Sequence, residues 1–170
     1  MNGHPGGEAH TRRMITLADL KAGASVLDMG AGGGEAVRLM QSLGYDAKGI
    51  DHDPRGDNVT QGDFLHTPYS GGSFDAILSQ CAFFVSGDVP GALREAHRVL
   101  KPGGTLMLSD IFFEAPAPVV EAAGFEVLQL EDMTDAWREY YLEALWRGED
   151  CGCALPRGKC RYWLIIARKV

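Results

Sequence analysis

The chain has 170 residues, of which 45% are hydrophobic and 23% charged, with a formal net charge of -7. That length supports one core of ordinary size, so residues 1–170 are expected to form a single domain. The acidic balance argues against a nucleic-acid partner, the lack of a long apolar run against a membrane partner, and the lack of an apolar centre in residues 1–10 against a secretion signal, which makes the cytoplasm the expected location.

In chain order, strand and helix patterns alternate, as they do in a parallel sheet with helices on both faces. Residues 1–20 read as a helical lead-in, with the helix around Glu8 to Leu20. A buried strand at Ser25 to Met29 then runs into Gly30-Ala31-Gly32-Gly33-Gly34, followed by a helix from Gly34 to Ser42. The glycines let the backbone turn tightly and approach a ligand, and the first amides of the helix point at the same place. Glu35 stands where a G-x-G-x-x-G fingerprint wants its last glycine, and Asp28 lies two residues ahead of Gly30. An anionic pyrophosphate would be repelled by Asp28, whereas a ligand carrying an ammonium and a sulfonium would be attracted.

A second strand is expected at Ala47 to Asp51, and the stretch from His52 to Asn58 is too short for a standard crossover helix. Strands follow near Val59 and at Phe74 to Ser79, the latter after a turn at Ser70-Gly71-Gly72-Ser73 that suggests a structural role for Asp75. A helix over Val89 to Leu100 stops at Pro102-Gly103-Gly104 before a strand at Thr105 to Ile111. A short helix at Pro118 to Ala123 leads to a strand at Phe125 to Glu131. Residues 132–160 read as an insertion before the last strand, made of a helix over Met133 to Arg147, capped by Asp132 or Thr134, and a cysteine-bearing loop. Met133, Trp137, Tyr140, Tyr141, Ala144 and Leu145 fall on one stripe of that helix, and the apolar run Arg161 to Arg168 closes the chain.

Asp28-x-Gly30-x-Gly32-x-Gly34, Gly49-Ile50-Asp51, Gln61-Gly62-Asp63-Phe64, Phe74 to Ser79 and Leu100-Lys101-Pro102-Gly103-Gly104 stand in an order that resembles the class I S-adenosylmethionine-dependent methyltransferases. The resemblance covers roughly residues 20–130 and is closest to the small-molecule branch that includes the quinone-biosynthesis enzymes. It implies an α/β, Rossmann-like three-layer sandwich whose mostly parallel sheet has an antiparallel last strand. It further implies methyl transfer from S-adenosylmethionine to a small-molecule substrate by in-line displacement, releasing S-adenosylhomocysteine. In that reading Asp28, Gly30, Ala31, Gly32 and Gly34 form the cofactor loop, and Asp51 and His52 take the ribose side. Gly62, Asp63 and Phe64 take the adenine, and Ser79 and Gln80 lie at the end of the fourth strand.

The acceptor side is expected at Cys81, Phe83, Trp137 and Tyr141, because the helix before an antiparallel last strand returns to the edge where ligands bind in open α/β sheets. The Asn/Asp-Pro-Pro-Tyr/Phe box of enzymes that methylate amide or nucleobase nitrogens is replaced by Ser79-Gln80-Cys81-Ala82-Phe83. Oxygen, carbon, sulfur or a metalloid remain as acceptor atoms. His4, His52 and Cys81 are the candidates for a general base. Cys151, Cys153 and Cys160 suit a soft metal or metalloid, a loose likeness to the arsenite methyltransferases, although most reduced cysteines are inert small hydrophobes. Two other classes stay open: a cofactor-binding regulatory or metal- and thiol-handling module without turnover, and a nicotinamide-dependent oxidoreductase, against which Asp28 and Glu35 speak.

Overall fold

Val26, Leu27 and Met29 are all fully buried, so the first strand, β1 (Ser25–Met29), has no solvent face. A strand buried on both sides is the mark of a sheet covered by two helical layers. The computed structural model describes residues 4–148 and 159–170 and shows those layers. The sheet also contains β2 (Asp46–Asp51), β3 (Val59–Gln61), β4 (Phe74–Gln80), β5 (Leu100–Phe112), β6 (Phe125–Asp132) and β7 (Arg161–Lys169), in the order β3-β2-β1-β4-β5-β7-β6. All pairings are parallel except those of β7, which runs antiparallel to both β5 and β6. The strand order reverses between β1 and β4, which opens a crevice at their carboxyl ends.

Alternate residues of β1 serve opposite cores, as the two-residue period of a strand requires. Val26 packs with Met14 and Ile15 of α1 (Gly7–Ala18) and with Val37 and Met40 of α2 (Glu35–Ser42). Leu27 and Met29 pack instead toward Leu93 and Ala96 of α3 (Val89–Val99) and Val120 of α4 (Ala117–Ala122). The start of α3 is set by Asp88, whose side chain accepts from the Gly91 amide at 2.8 Å, with proline in the first turn. A further cluster forms where α5 (Thr134–Trp146) lies over the ends of β5 and β7. Among the described residues no helix is long and apolar enough to cross a membrane.

Several boundaries differ from the sequence expectation. β5 begins at Leu100, because Phe74 pairs with Leu100 and Ala76 with Thr105, so the Lys101 to Gly104 turn is absorbed as a bulge. The N-cap of α5 is Met133, not Asp132 or Thr134, although the Asp132 carboxylate accepts from the Thr134 amide at 3.0 Å. Leu145 is 59% exposed and falls off the buried stripe.

At the amino edge of the sheet, Asp75 joins three strands. Its Oδ2 accepts from the Ser25 amide at 2.9 Å and the Ser25 hydroxyl at 2.7 Å, while Oδ1 accepts from Lys101 Nζ at 2.8 Å. The Lys101 hydrogen bond first, then those of Ser25, hold the carboxyl down at about 2. A depressed carboxyl stabilises the fold above its ordinary value and loses that contribution as pH falls through the lowered one. The group is 41% exposed, so screening discounts the effect. Asp75→Asn is expected to lower unfolding free energy by about 1 kcal/mol at pH 7. In denaturant titrations the gap should shrink as pH is lowered from about 4 toward about 2.

Candidate cofactor and acceptor site

The turn between β1 and α2 is held by β2. Gly30 and Ala31 both donate to the Ile50 carbonyl, at 2.9 and 3.1 Å, and the Gly32 amide donates to Asp51 Oδ2 at 2.8 Å. Gly30 has φ 87°, and a Cβ there would lie 2.2 Å from the Ala82 methyl, so only glycine fits against the chain leaving β4. Asp51 Oδ1 accepts from the Asp53 amide at 2.9 Å, which leaves each oxygen with a further lone pair for a ligand.

A cavity of about 960 Å³ opens beside this turn at the carboxyl ends of β1, β2 and β4. One wall carries Asp28, Gly30, Ala31, Gly32, Asp51 and His52, with Asp63 and Phe64 beyond; the other carries His4, Thr11, Gln80, Cys81, Ala82 and Val85. This volume is at the upper end of the range for small-molecule sites, so a nucleoside-sized cofactor leaves room for an acceptor.

Asp28 is 4% exposed and faces the cavity, yet no described residue donates a hydrogen bond to its carboxyl. Burial first, then the Asp51 and Glu35 carboxylates, push it up to about 8. A buried carboxyl with no internal partner is costly unless a ligand completes it. The ammonium and sulfonium of S-adenosylmethionine supply the missing positive charge, so the residues present fit that cofactor. Asp63 also lines the cavity; hydrogen bonds from His66 and from the Leu65 amide, at 3.0 and 2.8 Å, hold its carboxyl below the usual range.

The wall carrying His4, Thr11 and Gln80 is tied by a ring of hydrogen bonds. Thr11 Oγ1 donates to Gln80 Oε1 at 3.2 Å, His4 Nε2 lies 3.0 Å from Thr11 Oγ1, and Gln80 Nε2 lies 3.2 Å from His4 Nδ1. His4 Nδ1 also lies 3.2 Å from the Pro5 carbonyl oxygen, so both ring nitrogens are engaged. Burial, the largest influence, keeps His4 below its ordinary value. Helix α1 is fastened behind this wall by Arg13, paired to both Glu131 oxygens at 3.0 and 2.6 Å.

Cys81, the residue after β4, lies in the left-handed region, φ 56°, with its amide donating to the Ser109 carbonyl at 2.9 Å. Its Sγ lies 3.3 Å from the Tyr162 hydroxyl, which lies 2.9 Å from Ser109 Oγ. Asp110, only 1% exposed, accepts from the Phe84 and Ile111 amides at 3.0 and 2.8 Å and so shapes the loop after Cys81. Burial pushes its carboxyl up to about 6 against those amide bonds. The sequence reading gave Asp110 no role; the visible signal was the polar pair Ser109-Asp110 inside an apolar strand.

Other expected site residues lie behind the cavity wall. Gly34 caps α2, Gly62 donates to the Asp51 carbonyl at 2.9 Å, and Ser79 is fully buried with its hydroxyl on the Met29 carbonyl at 2.7 Å. Phe83 is fully buried and stacks on Phe64 with centroids 5.8 Å apart, so it supports the wall from behind. Trp137 and Tyr141 do not roof the cavity; Trp137 stacks on Tyr162 at 6.2 Å and both belong to the α5 cluster. The helix follows the expected edge, but its aromatic stripe is spent on Tyr162 and Ile111. Cys160 is buried in that same cluster, against which Cys81 also packs. Cys151 and Cys153 lie outside the described residues, and among the described residues no group of three or more ligating side chains could hold a metal ion.

Because the Asp28 carboxyl is raised, the unfolded chain ionises it from about pH 4 while the folded chain does not, so it lowers stability progressively up to about pH 8. Asp28→Asn removes that penalty. Without ligand the variant is expected to be more stable than wild type by about 1–3 kcal/mol at pH 8 and equal to it near pH 4, as measured by denaturant unfolding. Equal stability at both pH values would mean the carboxyl is not held neutral.

Comparison with known proteins gives the same answer as the geometry. The family described as "Methyltransferase domain" matches residues 27–108. The glycine/sarcosine/dimethylglycine N-methyltransferase of Actinopolyspora halophila is 32% identical over 123 residues, 61% of this chain and 21% of that protein. The demethylmenaquinone methyltransferase of Tropheryma whipplei (strain Twist) is 34% identical over 119 residues, 61% of this chain and 48% of that protein. The chain thus spans less than half the length of either relative. Among solved structures, phosphoethanolamine N-methyltransferase 2 of Haemonchus contortus, in complex with S-adenosylmethionine, matches the fold with a TM-score of 0.79 at 19% identity, covering 98% of this chain and 53% of that one. In sequence and strand order alike, this chain is similar to the class I S-adenosylmethionine-dependent methyltransferases.

Proposed function

We propose that the protein transfers a methyl group from S-adenosylmethionine to a small-molecule acceptor admitted between the start of α1 and the loop after Cys81. The observation that carries this reading is a single cavity in which the cofactor wall, with Asp28, Asp51 and Asp63, faces a second wall made by His4, Thr11, Gln80 and Cys81. When bound, the cofactor brings an activated methyl on a sulfonium, so the chain's own work is to align the acceptor and exclude water. Gly30 and Ala82 meet at the point where the walls join, which fixes the distance between them.

Oxygen, carbon or sulfur is the favoured acceptor atom. The relatives above include enzymes named for amine nitrogens, so small amines join the acceptors to be tested. A metalloid held by several thiols would need Cys151 and Cys153 beside Cys81 and Cys160, and the first pair lies outside the described residues. Release of S-adenosylhomocysteine across phenols, quinones, thiols, carboxylic acids, glycine, sarcosine and arsenite tests the proposal. Turnover on one class supports it, and cofactor binding without turnover on any would favour the regulatory module.

Where the acceptor must lose a proton, His4 is the candidate base, a role it takes once the Gln80 amide turns from its Nδ1 to the acceptor. Its imidazole is kept neutral by burial, oriented by Thr11, and exposed to the favourable charge of Glu35 when it becomes protonated. His52 is exposed on the ribose side, and Cys81 Sγ is engaged with Tyr162. His4→Gln keeps the hydrogen-bonding ring but removes the base; kcat on such an acceptor is expected to fall about 10²-fold. The acid limb of the kcat/KM pH profile should vanish with it, while affinity for S-adenosylhomocysteine stays close to wild type. An unchanged pH profile would remove His4 from this role.

A further inference from the structure

The seven residues between β2 and β3, His52 to Asn58, form no helix; they fold back onto the glycine turn. Arg55 donates its amide to the Gly32 carbonyl at 2.9 Å. Gly56 lies so close to Gly33 that a Cβ would sit 2.3 Å from the Gly33 carbonyl oxygen. Asn58 donates to the Gly34 carbonyl at 3.2 Å and accepts from Arg38 at the same distance. The connection is therefore fixed to the cofactor turn at successive points. His52 and Arg55 of this connection line the cavity, and the Arg55 side chain is held over that turn, with Nη2 3.0 Å from where a Cβ on Gly32 would be.

The Arg55 side chain is exposed, and no described residue pairs with its guanidinium although Asp53 and Asp57 are close in sequence. It sits on the side of the cavity where Asp51 offers acceptors. A ribose diol both donates and accepts, so a carboxylate satisfies its protons and leaves its oxygen lone pairs needing donors. The guanidinium supplies donors in a planar fork and a flat face that stacks on a purine.

We propose that Arg55 is a cofactor-specificity residue: it closes over the adenosine half of S-adenosylmethionine, donating to the ribose that Asp51 accepts from and covering the base. This rests on the assignment of the cavity to that cofactor. The short connection between β2 and β3, fixed to the glycine turn, delivers the arginine to that position.

Calorimetric titration of the full chain with S-adenosylhomocysteine and with adenosine, at moderate salt, tests the idea. Arg55→Ala is expected to weaken both ligands by the same factor, roughly ten-fold, because the lost contacts are to the part they share. Arg55→Lys should recover little, since an ammonium has neither the fork nor the flat face. The backbone bond from residue 55 to Gly32 survives either substitution, and an unchanged melting temperature would exclude a general loss of structure. Wild-type affinity for both ligands in Arg55→Ala would overturn the proposal, as would a loss confined to acceptor KM. Failure of the wild-type chain to bind S-adenosylhomocysteine would instead overturn the assignment of the cavity.

Discussion

The chain has to leave β1, reverse over the ends of its neighbours and enter α2 while keeping its backbone open to a ligand, and β2 supplies the bonds that make this possible. The Ile50 carbonyl takes the amides of Gly30 and Ala31, and the Asp51 carboxylate takes that of Gly32. Because β2 is registered on β1 residue by residue, from Ser25 against Asp46 to Met29 against Ile50, the turn inherits the rigidity of the sheet. Positions that a flexible loop would blur are thereby fixed: the left-handed Gly30 against Ala82, the start of α2, whose N-cap Gly34 offers no side chain to its first amides, and the Asp51 carboxylate at the cavity. The site sits at the switch point between β1 and β4, where strand order leaves a crevice that no crossover fills.

Electrostatics divides the cavity. Asp28, Glu35, Asp51 and Asp63 all line it, and burial first, then the charges of Asp51 and Glu35, raises the Asp28 carboxyl to about 8. The lining from the start of α1 and the end of β4 is hydrogen-bonded instead, with the His4, Thr11 and Gln80 ring and the Cys81 thiol beside Tyr162. A site strained in its ligand-free state is a common trade of stability for function. The Asp75 contacts at the opposite edge of the sheet carry no such strain.

Much of this was legible in the sequence because spacing alone defines it. The glycine turn, Asp51 at the end of a strand and Asp63 after the next are local patterns, and the sheet needed only the alternation of strand and helix. What was not legible depends on contacts between distant segments. The stripe of Trp137 and Tyr141 correctly announced a buried face, but a stripe does not say what it is buried against, and the answer was Tyr162 of β7 instead of the cavity. Thr11 and Asp110 gave no periodic signal, because each acts through a partner about seventy or twenty-six residues away, Gln80 and Phe84 respectively. Arg55 was hinted at only by the shortness of the connection that carries it.

The central claim is that the buried Asp28 carboxyl is the counter-charge awaiting a cationic cofactor, and proton counting tests it most directly. Calorimetric titration of S-adenosylmethionine at pH 7 in buffers of different ionisation enthalpy measures the protons released on binding. With Asp28 raised to about 8 beforehand and driven to ionise by the bound cation, the account predicts release of about one proton, absent in Asp28→Asn. A binding enthalpy independent of buffer in the wild-type protein, or a proton release that survives in Asp28→Asn, would contradict it.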